Sequence, residues 1–161
     1  MRQQEKAEIT VIRASQGATF HNNEEEFGAA NTVDKDLSTM GGTRTYNGAG
    51  WLKVEFGKTH FVHRILIYSR FYTNWYDPAY YCAASENHFK ECMYNDNNVD
   101  VSVYQGDVKQ KSCGTLKLTY GLEQSDQIYT LICNTEGDTV KLRKTTGNIA
   151  VFEIVVTGTG K

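Results

Sequence analysis

Val99-Asp100-Val101-Ser102-Val103-Tyr104 places a branched apolar residue at every second position, with polar or amphipathic residues between. Successive side chains of a strand point to opposite faces, so this stretch reads as a strand with one face in a core and the other toward water. The segments around it follow similar patterns. Trp51–Phe56 alternates in the same way, and Glu8–Arg13 reads as a short strand. His63–Tyr68 sets Ile65 and Ile67 against Leu66 and Tyr68, a strand buried on both faces. Ile128–Cys133, Thr139–Arg143 and Ala150–Thr157 complete the set. Turn chemistry separates them at Asn47-Gly48, Phe56-Gly57-Lys58, Gln105-Gly106-Asp107, Glu136-Gly137-Asp138 and Thr146-Gly147-Asn148. Short strands with such punctuation, and almost no helical periodicity, predict an all-β sandwich or jelly roll.

The chain has 161 residues, which suits a single domain over 1–161. Its 17 Lys and Arg face 19 Asp and Glu, a net charge of −2, so no cation excess exists to displace phosphate counterions and nucleic acid is excluded as a partner. No run of 18 apolar residues occurs, and the opening MRQQEKAEITVIRAS is polar where a signal core would lie. The expectation is either a mature fragment of a secreted protein or a chain that stays in the cell. Four cysteines, Cys82, Cys92, Cys113 and Cys133, bear on that choice. They allow three pairings, and sequence alone does not choose among them. Their even number and hairpin-like separations favour Cys82–Cys92 and Cys113–Cys133, and hence an oxidising, extracellular compartment; four buried free thiols are the alternative.

Two clusters carry chemistry. Asn31-Thr-Val-Asp34-Lys-Asp36-Leu-Ser-Thr39 gathers two carboxylates, an amide, hydroxyls and carbonyls within nine residues of loop, the hard oxygen donors that calcium takes. The spacing is not that of an EF-hand, and solvated turn acids are the plain alternative. The second cluster lies in the 28-residue stretch Phe71–Asn98, which has no clean period and crowds Phe71, Tyr72, Trp75, Tyr76, Tyr80 and Tyr81 around Asn74 and Asp77. Flat rings beside amides suit sugar faces, a protein partner or a membrane interface. Enzyme signals are poor: His21, His60, His63 and His88 are scattered, and no nucleophile–base pair stands out.

In order along the chain, Ala29–Thr39, Trp51–Gly57 and Val62–Arg70 resemble the opening half of discoidin-like (F5/8 type C) domains. Val99–Tyr104, Cys113-Gly114, Tyr129–Asn134, Gly137–Leu142 and Val151–Gly158 are similar to the fucolectin branch, the F-type lectins, so that the likeness runs over residues 8–158. The resemblance implies an eight-stranded β-sandwich jelly roll with its chain ends close together. It implies a structural calcium held by Asn31, Asp34, Asp36 and Thr39, with Glu153 on the last strand completing the shell, and a disulfide between Cys113 and Cys133. A carboxylate amid Val151, Phe152, Ile154 and Val155 needs a partner, which a cation would supply.

F-type lectins bind fucose with a histidine, an arginine ending a strand, an aspartate two residues on and a second basic residue. Here Arg44 stands about where the histidine belongs, Arg70 matches the arginine and Tyr72 replaces the aspartate. The second basic residue is lost in the expanded loop, and the family's vicinal cysteines have no match, with Cys82 and Cys92 in that region instead. The reading is therefore a non-catalytic lectin-like module. Arg44 and Arg70 would donate to sugar hydroxyls or to an acidic group, with Tyr72, Trp75 and Tyr76 as the stacking surface. A protein-binding or structural module with a degenerate sugar site is the second reading, and membrane binding ranks last because net charge −2 provides no basic collar.

Overall fold

A computed structural model describes residues 6–17, 25, 28–37, 39–43, 50–70, 99–116, 126–144 and 149–160. Among the described residues nine strands follow in chain order: β1 (Ala7–Glu8), β2 (Arg13–Gln16), β3 (Gly41–Gly42), β4 (Gly50–Arg70), β5 (Asp100–Gln105), β6 (Val108–Thr115), β7 (Asp126–Lys144), β8 (Ala150–Val151) and β9 (Glu153–Gly160). They build an antiparallel sheet in the order β1-β9-β4-β7-β5-β6, with β2 also on β4, while β3 and β8 form a separate ladder. The expected sandwich is present, and β1 on β9 brings the ends of the described chain together through Ala7 and Gly158.

The long strands β4 and β7 each run through what the sequence reads as two strands. The first half of β4 pairs Gly50–Glu55 with Thr139–Lys144 and carries β2 on its other edge. Its second half pairs His60–Arg70 with Asp126–Gly137 and carries β9. Between these halves residues 56–59 of β4 stand against Asp138. Such bulges bend a strand, which lets one strand serve both layers. Phe56-Gly57-Lys58 is thus a bulge within β4 rather than a turn between strands, with Gly57 at φ +84°. Gly137 marks the matching place on β7, where a Cβ would stand 2.5 Å from the Tyr104 carbonyl oxygen. The Gln105-Gly106-Asp107 turn forms as read, with Gly106 at φ +60°.

Alternation then fills the core. Leu52, Val54, Val101, Val103, Val140 and Leu142 are fully buried from the first layer, and Val62, Ile65, Ile67 and Cys133 from the second. All join one apolar cluster. A second register slip between Val62 and Arg64 resets the phase of β4, so that Val62 and Ile65 both face inward despite their odd spacing. On the other face of β4, Leu66 and Tyr68 are half-buried rather than fully covered. The Glu8–Arg13 stretch is not one strand. Ile9 N–H donates to the Val156 carbonyl (2.7 Å) and Ile12 N–H to that of Glu55 (2.8 Å), so the chain leaves β9 and crosses to β4 within four residues. A disulfide joins Cys113 of β6 to Cys133 of β7, with Cα atoms 4.8 Å apart. Cys82 and Cys92 lie outside the described residues.

Candidate functional site

The loop after the first strands starts as one 3-10 turn, Ala29–Thr32, anchored by buried Ala29 and Thr32. The Thr32 hydroxyl closes it by donating to the Ala29 carbonyl (2.7 Å). The Asn31 amide donates to the carbonyls of Glu25 (3.0 Å) and Met40 (3.1 Å), clamping the two ends of the loop. Its amide NH2 is therefore a brace, and its backbone carbonyl turns toward the Thr39 hydroxyl. Asp34 accepts from the Asp36 N–H (2.9 Å), a local turn that an aspartate readily makes. Between them Lys35 adopts φ +62°, a left-handed conformation uncommon for a residue with a Cβ. That twist aims the Lys35 N–H at Glu153 Oε1 (3.1 Å) across 118 positions of sequence.

Asn31, Asp34, Asp36 and Thr39 are thus brought together, and Glu153 joins them. The Thr39 hydroxyl is central: the Asn31 carbonyl (3.4 Å), the Asp36 carbonyl (3.0 Å) and Asp34 Oδ2 all lie within its reach. One hydroxyl has one proton, so it satisfies one of these three acceptors at a time. Among the described residues three oxygens therefore converge on this single hydroxyl. Glu153 belongs to the outward-facing set of β9, yet is only 4% exposed. Burial, together with the Asp34 carboxylate, pushes its carboxyl up to about 7, against the opposing pull of the Lys35 N–H.

Two carboxylates, two carbonyls and a hydroxyl form a donor set of oxygens only, which chemically suits a hard divalent cation and not a thiophilic one. Among the described residues no group of three or more His, Cys, Asp and Glu side chains is placed to hold a metal, so any shell here needs neutral oxygens. Sequence reasoning missed Lys35 and Glu8. Lys35 holds Glu153 through its backbone and Glu8 through its ammonium (2.8 Å), and Glu8 raises the Lys35 pKa. Both also line a cleft of about 210 Å³ beside Glu153. The acid-base pattern of Asp34-Lys35-Asp36 signals a turn, but not the sign of φ.

Arg70 is the last residue of β4, paired with Asp126. Tyr68, two residues earlier, pairs with Glu153, so the Arg70 backbone lies roughly 7 Å further along the strand at the same rim of the sandwich. Arg44, Tyr72, Trp75 and Tyr76 lie outside the described residues. Arg44 directly follows Thr43, whose N–H donates to the Ile149 carbonyl (2.9 Å).

The architecture is that of discoidin-like domains, a fold shared with lectins and carbohydrate-binding modules. A fucolectin from striped bass (Morone saxatilis) serum superposes with a TM-score of 0.61 at 14% identity; the match covers 91% of this chain and 45% of that one. The family 32 CBM of C. perfringens NanJ, solved with galactose, gives 0.60 at 15% identity, covering 95% and 99%. A Streptococcus pneumoniae fucose binding module gives 0.63 at 14% identity, covering 97% and 98%. At these identities the likeness is one of fold. No family model matches the sequence, and no curated protein is significantly similar to it. No helix among the described residues is long and apolar enough to cross a membrane.

Proposed function

We propose that this chain is a non-catalytic carbohydrate-binding module that acts outside the cell and is stabilised by one calcium ion. The observation that carries the reading is the meeting of the Asn31–Thr39 oxygens with Glu153 at the rim where β4 ends in Arg70. Asp34 and Glu153 would hold the ion with the Asn31 and Asp36 carbonyls and the Thr39 hydroxyl. Its charge would relieve the repulsion between the two carboxylates and fasten the loop to β9. Loops on such a rigid edge are where scaffolds of this kind bind ligands. Arg70 would donate there to sugar hydroxyls or to an acidic group, with Arg44 beside it and Tyr72, Trp75 and Tyr76 as stacking rings.

Further support comes from the neighbours in fold, which include a fucolectin, a module solved with galactose and a fucose binding module. The test is a glycan array of neutral and acidic sugars in calcium, followed by titration of Arg70→Ala and Trp75→Ala. Binding by the parent chain, lost in both variants, is expected. Silence across the array overturns the reading. A protein partner is the second reading. It is favoured by Ile128 (56% exposed) and Ile132 (47% exposed), which stand on the outward face of β7 opposite Tyr68 and Arg64.

A further inference from the structure

The inward residues of the first layer determine which side chains point out. With Leu52, Val54, Val101, Val103, Val140 and Leu142 in the core, Trp51, Lys53, Ser102, Tyr104, Lys141 and Arg143 lie on the opposite face; there Arg143 is exposed, Trp51, Lys53, Tyr104 and Lys141 are half-buried, and the small Ser102 is buried beneath its larger neighbours. Ladder register sets Lys53 directly opposite Lys141 and Trp51 opposite Arg143, with Ser15 and Ser102 at the two ends of the lysine row. Lys141 Nζ stands 5.6 Å from the Trp51 ring centroid and 5.5 Å from that of Tyr104. Lys53 Nζ stands 5.9 Å from the Trp51 ring.

Arg13 and Lys109 extend the face, giving five cations against the carboxylates of Glu55 and Asp100, on a chain whose net charge is −2. Those carboxylates are engaged. Glu55 is shared by Arg13 (3.6 Å) and Lys53 (3.7 Å). Asp100 meets Lys109 (3.6 Å) and accepts from the Ser102 and Ser112 hydroxyls. Among the described residues neither Lys141 nor Arg143 forms an ion pair, although Asp100 stands opposite Arg143 on the β5 side of the ladder and gives its carboxylate to Lys109 and the two serines. Like charges directly opposite across a ladder are destabilising, so the Lys53–Lys141 pair works against the sheet that carries it. The rings offset part of that cost and hold the ammonium groups in place. Among the described residues the Ser15 hydroxyl, opposite Lys53, is buried without a hydrogen-bond partner.

We propose that this face is a second recognition surface, for a linear acidic polysaccharide carrying carboxylate or sulfate groups. Charge complementarity selects an anion. Adjacent strands are about 4.8 Å apart, a step comparable to one sugar unit, so cations and rings recur across β4, β7 and β5 at intervals a polysaccharide chain can follow. The surface lies on the first layer, whereas Arg70 and Glu153 belong to the second, and its binding needs no calcium.

The test measures retention of the whole chain on immobilised heparin and on polygalacturonate, each in calcium and in chelator. The two supports separate sulfate from carboxylate recognition. Binding to at least one, unchanged by chelator, is expected. The double variant Lys141→Gln/Arg143→Gln should lose about tenfold or more in affinity, and Lys141→Arg should keep most of it. Lys58→Gln, a single charge removal at an exposed position of the β4 bulge, should bind like the parent. The double variant relieves a like-charge pair, so it should unfold cooperatively like the parent chain. No retention of the parent on either support overturns the proposal. So does equal loss on Lys58→Gln, or tighter binding to single-stranded oligonucleotide or phosphatidylserine vesicles. Loss of neutral-sugar binding in chelator would concern the rim alone and leaves this face untouched.

Discussion

Replacing Glu153 by Gln keeps the shape of the side chain and removes one of the two carboxylates that meet at the loop. In a chelator at pH 8 the parent chain must bury an ionised Glu153 beside Asp34, although its carboxyl prefers to stay protonated up to about 7. A displacement from 4.5 to about 7 corresponds to about 3.4 kcal/mol at most, and to about 1–2 kcal/mol once solvent screening at the loop edge is allowed for. The variant, without calcium, should therefore be as stable as the parent or more stable by that amount. Calcium should close that gap or reverse it. At 100 times its dissociation constant a ligand of the native state adds about 2.7 kcal/mol, or about 5–10 °C in melting midpoint for a chain of this size. In Glu153→Gln that increment should fall below about 1 kcal/mol, because half the anionic charge of the donor set is gone. Urea and thermal unfolding of both proteins, with calcium and with chelator, give the four numbers needed. If calcium leaves the parent's midpoint unmoved, the cation reading fails. If the variant is destabilised equally in both conditions, Glu153 stabilises the fold through its bond from the Lys35 N–H and not as a ligand.

Four further outcomes follow from the same structure. In chelator, stability should fall as pH rises from about 4.5 to 7, the reverse of an ordinary paired carboxylate, because the native state holds the Glu153 proton more tightly than the unfolded chain; urea midpoints across that range check it, and Glu153→Gln should flatten the slope. Ile65→Ala, at a fully buried position between β7 and β9, should cost about 2–5 kcal/mol in denaturant unfolding. Gly158→Ala would place a Cβ 1.9 Å from the Phe61 carbonyl oxygen, so β4 and β9 must part locally, and amide exchange along that ladder should accelerate. Removing the Cys113–Cys133 bond with a Ser pair should cost about 3 kcal/mol, since the bond closes a 20-residue separation.

Local pattern carried much of the architecture. Val99, Val101 and Val103 announce an inward face by period two, and that face is fully buried. The Gln105-Gly106-Asp107 turn declares itself because a left-handed residue at a hairpin tip favours glycine wherever the rest of the chain goes. The resemblance placed Asp34 and Thr39 beside Glu153, and the fold does bring them together. Arg44, Tyr72, Trp75, Tyr76, Cys82 and Cys92 fall outside the described residues, so the sugar-contact and second-disulfide expectations rest on sequence.

Tertiary structure decided what two-body geometry controls. Whether Phe56-Gly57-Lys58 ends a strand or bulges within one depends on the strand opposite, and β7 runs alongside on both sides of it. The switch of Ile9 and Ile12 from β9 to β4 depends likewise on partners more than forty residues away. Asn31 proved a brace through its amide NH2 and presents its backbone carbonyl to the Thr39 hydroxyl, because the ends of its loop converge within its reach. The lysine row on the outer face has no trace in local sequence: Lys53 and Lys141 are 88 positions apart, and only the antiparallel register of β4 on β7 sets them face to face. A sequence records the period of each strand, since that period is covalent geometry; the register between strands is a property of the packed whole.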